Sequence, residues 1–133
     1  MDFRSEYPIE GSYEGKSFLI AEDEEINYLF LEELLKPTGA ILYWAANGAE
    51  ALQLLEDHPE IELILMDIKM PVMNGYEATQ IIRKKDLKVK IIATTAYAFV
   101  EDREKVLNAG CDGYISKPIN IQLLMSEIRK LLR

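Results

Sequence analysis

Five short apolar runs alternate with five segments of helical periodicity along this chain, and this alternation restricts the fold more than any other feature of the sequence. The runs are rich in residues that favour strands, and the loops between the segments are short. Strict alternation predicts a parallel sheet with right-handed crossovers and helices on both faces. The predicted strands are Lys16–Ala21, Ala40–Trp44, Ile61–Met66, Val89–Ala93 and Gly113–Ser116.

The helices are predicted from apolar residues spaced three or four apart and from the residues that flank them. The first helix runs from the acidic stretch at 22–25 to about residue 36, and the second lies between Asn47 and Asp57. The other three cover residues 76–85, 100–109 and 121–132. The side chains predicted to face the core are Ile26, Leu29, Phe30 and Leu34 in the first helix, Ala51, Leu52, Leu54 and Leu55 in the second, Ala78, Ile81 and Ile82 in the third, and Leu123, Leu124, Ile128, Leu131 and Leu132 in the fifth.

Length and charge limit the class of protein. The 133 residues suit one domain with one core, and we interpret residues 1–15 as a linker or flexible lead-in and residues 16–133 as the domain. A net charge of −8 argues against direct nucleic-acid binding, which depends on basic side chains. No run approaches the ~18 apolar residues of a membrane span, so we expect no membrane contact. One cysteine excludes an internal disulfide and favours a cytoplasmic location.

The stretch IELILMDIKMPVMNG, from Ile61 to Gly75, gives the first indication of chemistry. Its opening run is typical of a strand buried on both faces, and Asp67 follows directly. The loop beyond it carries Pro71 and an Asn-Gly turn. Ligands bind at the carboxyl ends of the strands in open α/β sheets, so the sequence places a carboxylate at a ligand-binding edge. We interpret Asp67 as a nucleophile that accepts a phosphoryl group.

Other polar side chains follow the neighbouring strands. Glu22 and Asp23 come after the first strand, Thr95 after the fourth and Lys117 after the fifth. In a doubly wound sheet of order 2-1-3-4-5 these residues converge with Asp67 on one crevice. Three carboxylates in one place repel each other, and a divalent cation with oxygen ligands, Mg²⁺ above all, relieves the repulsion.

The remaining groups suit the charge of a transferring phosphoryl group. Lys117 offers a compact ammonium, and the Thr95 hydroxyl and the Ala96 N–H can donate hydrogen bonds. Thr94 competes with Thr95 for this role, and we choose Thr95 because the small Ala96 follows it. Each residue also has a plain structural explanation: Asp67 could be a turn residue, and Glu22 and Asp23 could be acids at a helix start.

From Lys16 onward the chain resembles the receiver domains of two-component response regulators. The resemblance rests on AEDEE, MDIKMPVMNG, TTA followed by an aromatic residue, and GCDGYISKPI, in that order and with matching spacing. It implies a flavodoxin-like α/β fold, with a doubly wound five-stranded parallel sheet of order 2-1-3-4-5 and five helices. It also implies transfer of a phosphoryl group to Asp67 from a phosphohistidine on a histidine kinase or a histidine phosphotransfer domain.

The resemblance further implies roles for the other residues. Mg²⁺, for which Mn²⁺ could substitute, would be held by Asp23, Asp67 and the backbone carbonyl of Lys69, with Glu22 acting through a water. Lys117 would pair with the phosphoryl group, and its bond to Pro118 would be cis. Thr95 would move to bind the phosphoryl group and Tyr114 would swing inward. The signal would leave through the face of the fourth helix, fifth strand and fifth helix, often by homodimerisation.

Two hypotheses go beyond this pattern. Lys69 and Tyr97, at the rim of the crevice, would tune the lifetime of the aspartyl phosphate. The chain would be either a free-standing regulator or, as we favour, the C-terminal receiver of a hybrid histidine kinase. We do not expect the domain to be an enzyme that turns over external substrates.

The sequence argues against two other function classes. A phosphohydrolase of the haloacid-dehalogenase kind needs a second aspartate two residues after the nucleophile, where this chain has Lys69. A flavin-binding module on the same sheet order needs a glycine- and hydroxyl-rich loop after the first strand, where this chain has four acids that would repel a phosphate.

Overall fold

The computed structural model describes residues 10–96 and 100–132. It contains a five-stranded sheet in the order β2-β1-β3-β4-β5, in which every neighbouring pair is parallel. The predicted fold class and strand order are therefore confirmed. The strands are β1 Ser17–Ala21, β2 Ile41–Ala45, β3 Ile61–Asp67, β4 Lys90–Thr95 and β5 Gly113–Ser116.

Five α-helices connect the strands, and a short 3₁₀ turn, Lys36–Thr38, follows the first of them. Asn47 caps the second helix as predicted, because its side chain accepts a hydrogen bond from the Glu50 N–H. Asn74 and Glu77 form a reciprocal capping box at the start of the third. The helices are α1 Glu25–Leu35, α2 Gly48–Asp57, α3 Gly75–Lys84, α4 Val100–Ala109 and α5 Ile121–Leu131. None of the helices within 10–96 and 100–132 is long and apolar enough to span a membrane.

The central strand β3 contributes to a core layer on each face of the sheet. Ile64 and Met66 pack with α2, α3 and α4, whereas Leu63 and Leu65 pack with α1 and α5. Successive side chains of a strand point to opposite faces, so an uninterrupted apolar run is what burial on both faces requires. This arrangement holds the end of β3, and with it Asp67, between two packed layers.

The predicted core face of α1 was wrong for three of its four residues, and only Leu34 packs against the core as predicted. Ile26, Leu29 and Phe30 expose 75%, 45% and 50% of their surface, and the buried side chains are instead Tyr28, Leu31 and Leu35. The helix carries two apolar stripes, and only one can face the sheet. The buried stripe is the one that includes Tyr28, whose hydroxyl reaches Glu32 at 3.0 Å and is therefore not left unpaired in the core.

A smaller correction of the same kind applies to α5. Leu123 was predicted to face the core but is 61% exposed, and Met125 is buried in its place. Leu124 and Ile128 are buried as predicted. This helix also carries more apolar side chains than one face can bury.

The end of the predicted lead-in packs on the domain. The backbone N–H groups of Gly11 and Tyr13 donate to the carbonyls of Pro37 and Thr38, and the Tyr13 ring lies 5.5 Å from the Phe18 ring. Residues 1–9 lie outside the described residues. The interpretation of residues 1–15 as a linker stays a prediction.

Arg83 ties together several chain segments at the end of the sheet opposite Asp67. Its guanidinium donates to the carbonyls of Gly110, Leu87 and Val89 at 2.8–2.9 Å and pairs with Asp112 at 2.8 Å. The end of α3, the loop before β4 and the turn after α4 are therefore joined by one side chain.

The single thiol, Cys111, is buried beside the Thr79 hydroxyl, which lies 3.7 Å from its sulfur. Burial raises the pKa of Cys111 to about 11, whereas the Thr79 hydrogen bond and the Arg83 charge act to lower it. An unfolded chain would lose this proton near the ordinary value of 9.0. The unfolding free energy is therefore expected to fall by about 2 kcal/mol as the pH rises from about 9 to about 11.

Urea unfolding of the native chain and of Cys111→Ala at several pH values tests this expectation. The native chain should lose more stability over that interval than the variant. Tyr28, whose pKa burial raises to about 12, contributes equally to both proteins and cancels in the comparison. Parallel pH profiles for the two proteins would contradict the expectation.

Candidate functional site

Three carboxylates meet where β1 and β3 end. Oxygen atoms of Glu22, Asp23 and Asp67 all lie within 4.8 Å of one another. Glu22 and Asp67 are only 2% and 5% exposed, while Asp23 is open to solvent. The sequence predicted this convergence, because β1 and β3 are neighbours at the switch point of the sheet. The group offers hard oxygen ligands, partly buried and with one open side, as a Mg²⁺ site requires.

Lys117 bridges two of these carboxylates. Its ammonium nitrogen lies 2.9 Å from Glu22 Oε1 and 3.1 Å from Asp67 Oδ2. Burial acts to lower the pKa of Lys117, but the hydrogen bonds and charges of Glu22 and Asp67 outweigh burial and raise it. The ammonium is therefore held in its charged form beside Asp67. The Lys117 N–H donates to the Thr95 carbonyl at 2.7 Å, and the bond to Pro118 is cis, as the resemblance implied.

Glu22 is held from several directions. Its Oε2 accepts from the Glu24 N–H at 3.0 Å, and its Oε1 accepts from Lys117. Partial burial and the hydrogen bond and charge of Glu22 raise the pKa of Asp23, although its own backbone and Lys117 act to lower it. Of these two neighbouring acids, Glu22 is buried and hydrogen-bonded, and Asp23 is accessible to solvent.

The loop after β3 closes around Asp67. The Lys69 N–H donates to Asp67 Oδ1 at 3.1 Å, which places Lys69 at the rim of a cleft of about 280 Å³. The cleft is lined by Asp23, Glu24, Asn27, Asp67, Lys69, Thr95, Ala96 and Lys117. Sequence reasoning missed Asn27 in this lining. Asn27 lies in the first turn of α1, which directly follows the acidic residues, and this position was the signal that could have indicated it.

Gly75 sets how closely α3 approaches the end of β3. A Cβ added at this position would lie 2.5 Å from the Asp67 carbonyl oxygen and 3.0 Å from the Ile68 Cα. Both contacts are with backbone, which cannot rotate away. Gly75→Ala is therefore expected to lower the unfolding free energy by about 2–3 kcal/mol.

Gly113→Ala is the matched control for this substitution. A Cβ at Gly113 would meet nothing closer than 3.5 Å, and the residue has no positive φ. Urea unfolding should show the Gly75 variant clearly less stable than the Gly113 variant. Equal stability of the two proteins would show that α3 can move away from β3 without cost.

Thr95 and Thr94 differ in where they lie. Thr95 is 4% exposed and lines the cleft, whereas Thr94 pairs with Asp67 in the ladder between β3 and β4 and does not line the cleft. Tyr114 is half-buried on β5, and burial raises its pKa. Tyr97, the other residue predicted at the rim, lies outside the described residues.

The fold and the sequence match known proteins. The family model for the response regulator receiver domain matches residues 18–129. The polar-differentiation response regulator DivK of Brucella anthropi is 37% identical over 119 residues, covering 88% of this chain and 96% of that protein.

Two solved structures extend the comparison. The co-crystal structure of the Saccharomyces cerevisiae histidine phosphotransfer signaling protein Ypd1 with the receiver domain of its downstream response regulator Ssk1 matches at 30% identity and a TM-score of 0.83, covering 90% of each chain. The signal receiver domain of a signal transduction histidine kinase from Syntrophus aciditrophicus matches at 30% identity and a TM-score of 0.79, covering 89% of this chain and 90% of that one. The chain therefore belongs to the response regulator receiver domains, the phosphoacceptor modules of two-component and phosphorelay signalling.

Proposed function

We propose that Asp67 is the phosphoacceptor of this receiver domain and that its phosphodonor is a phosphohistidine on a histidine kinase or a histidine phosphotransfer domain. One observation carries the proposal: the Asp67 carboxylate contacts the Lys117 ammonium, lies within 4.8 Å of two further carboxylates and lines an open cleft. An Asp67 oxygen would form the new bond to phosphorus. The bond from phosphorus to the donor imidazole would break, and its electron pair would return to the imidazole nitrogen.

The donor set fits Mg²⁺, with Mn²⁺ as a substitute. Asp23, Asp67 and the Lys69 carbonyl would hold the ion, and Glu22 would act through a water. When bound, the ion neutralises charge on the carboxylates and on the phosphoryl oxygens. Supporting this assignment, the cluster brings three carboxylates together, and Lys117 pairs with two of them, Glu22 and Asp67.

The other residues around Asp67 would bind the phosphoryl oxygens and transmit the change to the surface. Lys117 would move from its bridge onto a phosphoryl oxygen, and the Thr95 hydroxyl and the Ala96 N–H would donate to another. Tyr114 would turn inward as Thr95 moves, which alters the surface of α4, β5 and α5. We propose this surface as the output face and as the contact in a possible homodimer.

The partner would dock on the exposed stripe of α1. Ile26, Leu29 and Phe30 are exposed, and Phe30 lines a groove of about 370 Å³ that also includes Glu22 and Lys117. An apolar helix seated there would hold its phosphohistidine over Asp67. The match with the structure of Ypd1 and the Ssk1 receiver supports a partner of this class. We also propose that the domain works in the cytoplasm, either alone or attached to a histidine kinase.

Lys69 gives the reason to prefer a phosphoacceptor over a phosphohydrolase. The second aspartate that such hydrolases use two residues after the nucleophile is a lysine here. We propose that Lys69, together with Tyr97, tunes the lifetime of the aspartyl phosphate. Lys69→Asn should change that lifetime in a dephosphorylation time course, and an unaltered lifetime would count against the assignment.

Labelling by acetyl phosphate tests the proposed function. The native chain should gain one phosphoryl group per chain in Mg²⁺ and none in EDTA, as measured by intact mass. Continuous release of phosphate from small phosphomonoesters over many turnovers would favour the hydrolase instead.

A further inference from the structure

Trp44, at the end of β2, contacts the peptide that leads into the carboxylate cluster. The ladder between β1 and β2 ends at the pair Ala21 and Ala45, and the Glu22 N–H still reaches the Ala45 carbonyl at 2.9 Å. The Glu22 carbonyl oxygen accepts a hydrogen bond from the Trp44 indole Nε1 at 2.7 Å. The indole N–H thus takes the place of a backbone donor just beyond the end of the ladder.

The indole ring is itself held in place. It stacks on the Tyr28 ring with the centroids 4.8 Å apart and the planes 12° apart. Tyr28 is 8% exposed and its hydroxyl donates to Glu32 at 3.0 Å. The position of the Trp44 N–H is therefore set by two elements, β2 through its backbone and α1 through Tyr28.

The bond acts on Asp23 through covalent geometry. The Glu22 carbonyl and the Asp23 N–H belong to one planar peptide, so fixing the oxygen fixes the direction in which the chain enters Asp23. Asp23 lies two residues beyond Ala21, the last residue of the ladder, and is open to solvent. We propose that Trp44 is a positioning residue for the cation site, because its indole N–H orients the Glu22–Asp23 peptide and holds the Asp23 carboxylate toward Asp67. This inference rests on the proposed function, which supplies the cation.

Trp44→Phe tests the proposal because it keeps a ring to stack on Tyr28 and removes the N–H. The first measurement is made without metal: the ¹⁵N order parameter of the Asp23 amide should fall in the variant. The second is Mg²⁺ affinity by isothermal titration calorimetry, which should weaken about fivefold, as expected from the loss of one hydrogen bond. Trp44 is the only tryptophan in the chain, so its fluorescence in the native protein should also respond to Mg²⁺.

Tyr28→Phe is the matched control. It preserves the ring stack and the bond to Glu22, and it removes the hydroxyl that bonds to Glu32. We expect this variant to keep Mg²⁺ affinity within about twofold and to leave the Asp23 amide unchanged. Both variants are compared at a temperature where circular dichroism shows them fully folded.

The outcomes separate the two proposals. An unchanged Asp23 amide and an unchanged Mg²⁺ affinity in Trp44→Phe would overturn the positioning role. An equal loss in Tyr28→Phe would also overturn it, because the effect would then belong to the packing of α1. If the native chain binds no Mg²⁺ at all, the proposed cation site fails, and the metal-free amide measurement still decides whether Trp44 orients Asp23.

Discussion

Replacement of Asp67 by asparagine is expected to abolish phosphoryl uptake, lowering the rate of labelling by acetyl phosphate by roughly a hundredfold or more. The amide has nearly the shape of the carboxylate, so the fold should persist, but the amide oxygen is a poor nucleophile and carries no charge. Intact mass and a Mg²⁺ titration, both on the folded variant, measure the loss of uptake and the expected weakening of cation binding.

Asp57→Asn provides the control for Asp67→Asn. Asp57 is an exposed acid at the end of α2, where its carboxylate accepts a hydrogen bond from Gln53. The same chemical change there should leave labelling intact. Labelling that persists in the Asp67 variant, or that moves to Asp23, would remove Asp67 from the role of acceptor.

Replacement of Lys117 by methionine is expected to lower the unfolding free energy of the domain and to raise its affinity for Mg²⁺. The side chain keeps its length, but Glu22 and Asp67 lose their shared cation. Breaking a fully buried pair costs about 3–5 kcal/mol, and the Lys117 side chain is 25% exposed, so we expect a loss of about 2 kcal/mol in EDTA near pH 7.5. Mg²⁺ affinity should rise by about fivefold because the cluster then carries one more net negative charge. Phosphoryl uptake should fall by about tenfold or more.

The pH dependence of the Lys117 effect has a definite sign. The pKa of Lys117 is raised above 10.5 in the folded protein, so its contribution to stability is complete below that pH and is lost as the pH rises through the folded value. The difference in unfolding free energy between the native chain and Lys117→Met should therefore be constant from pH 7 to 9 and shrink above about 10.5.

Lys88→Met is the control for Lys117→Met, since the Lys88–Asp86 pair is about 85% exposed on both sides. We expect it to change stability by less than about 0.5 kcal/mol. If both lysine variants lose the same stability, the bridge between Glu22 and Asp67 is not a stabilising interaction. If Mg²⁺ affinity falls in Lys117→Met, Lys117 supports the cation site and does not compete with it.

Much of the fold could be predicted from the sequence because its signals are local. Alternation of strand and helix patterns predicted a parallel sheet with helices on both faces, and the position of Asp67 after an apolar run predicted a carboxylate at the carboxyl edge of that sheet. The strand order itself came from the resemblance to receiver domains.

What the sequence could not predict depends on contacts between distant segments. Phe30 and Tyr28 both fit the periodicity of α1, and the choice of buried face was made by packing against β2 and the sheet. The hydrogen bond from Trp44 to the Glu22 carbonyl joins residues 22 positions apart, and no sequence motif indicates it. That Lys117 bridges Glu22 as well as Asp67 follows from the turn after β5, which composition and spacing do not specify.

Arg83 has a consequence for how α4 can respond to events at the cleft. Its bonds to Gly110 and Asp112 fix the turn after α4, while four residues separate the end of β4 from the start of the helix. Ten residues of α-helix measure about 15 Å, so a tilt of about 10° around the fixed turn displaces the first residue by about 2.6 Å and the last hardly at all. A rotation of α4 around this turn would therefore displace the start of the helix, which follows β4 and Thr95 in the chain, much more than its end.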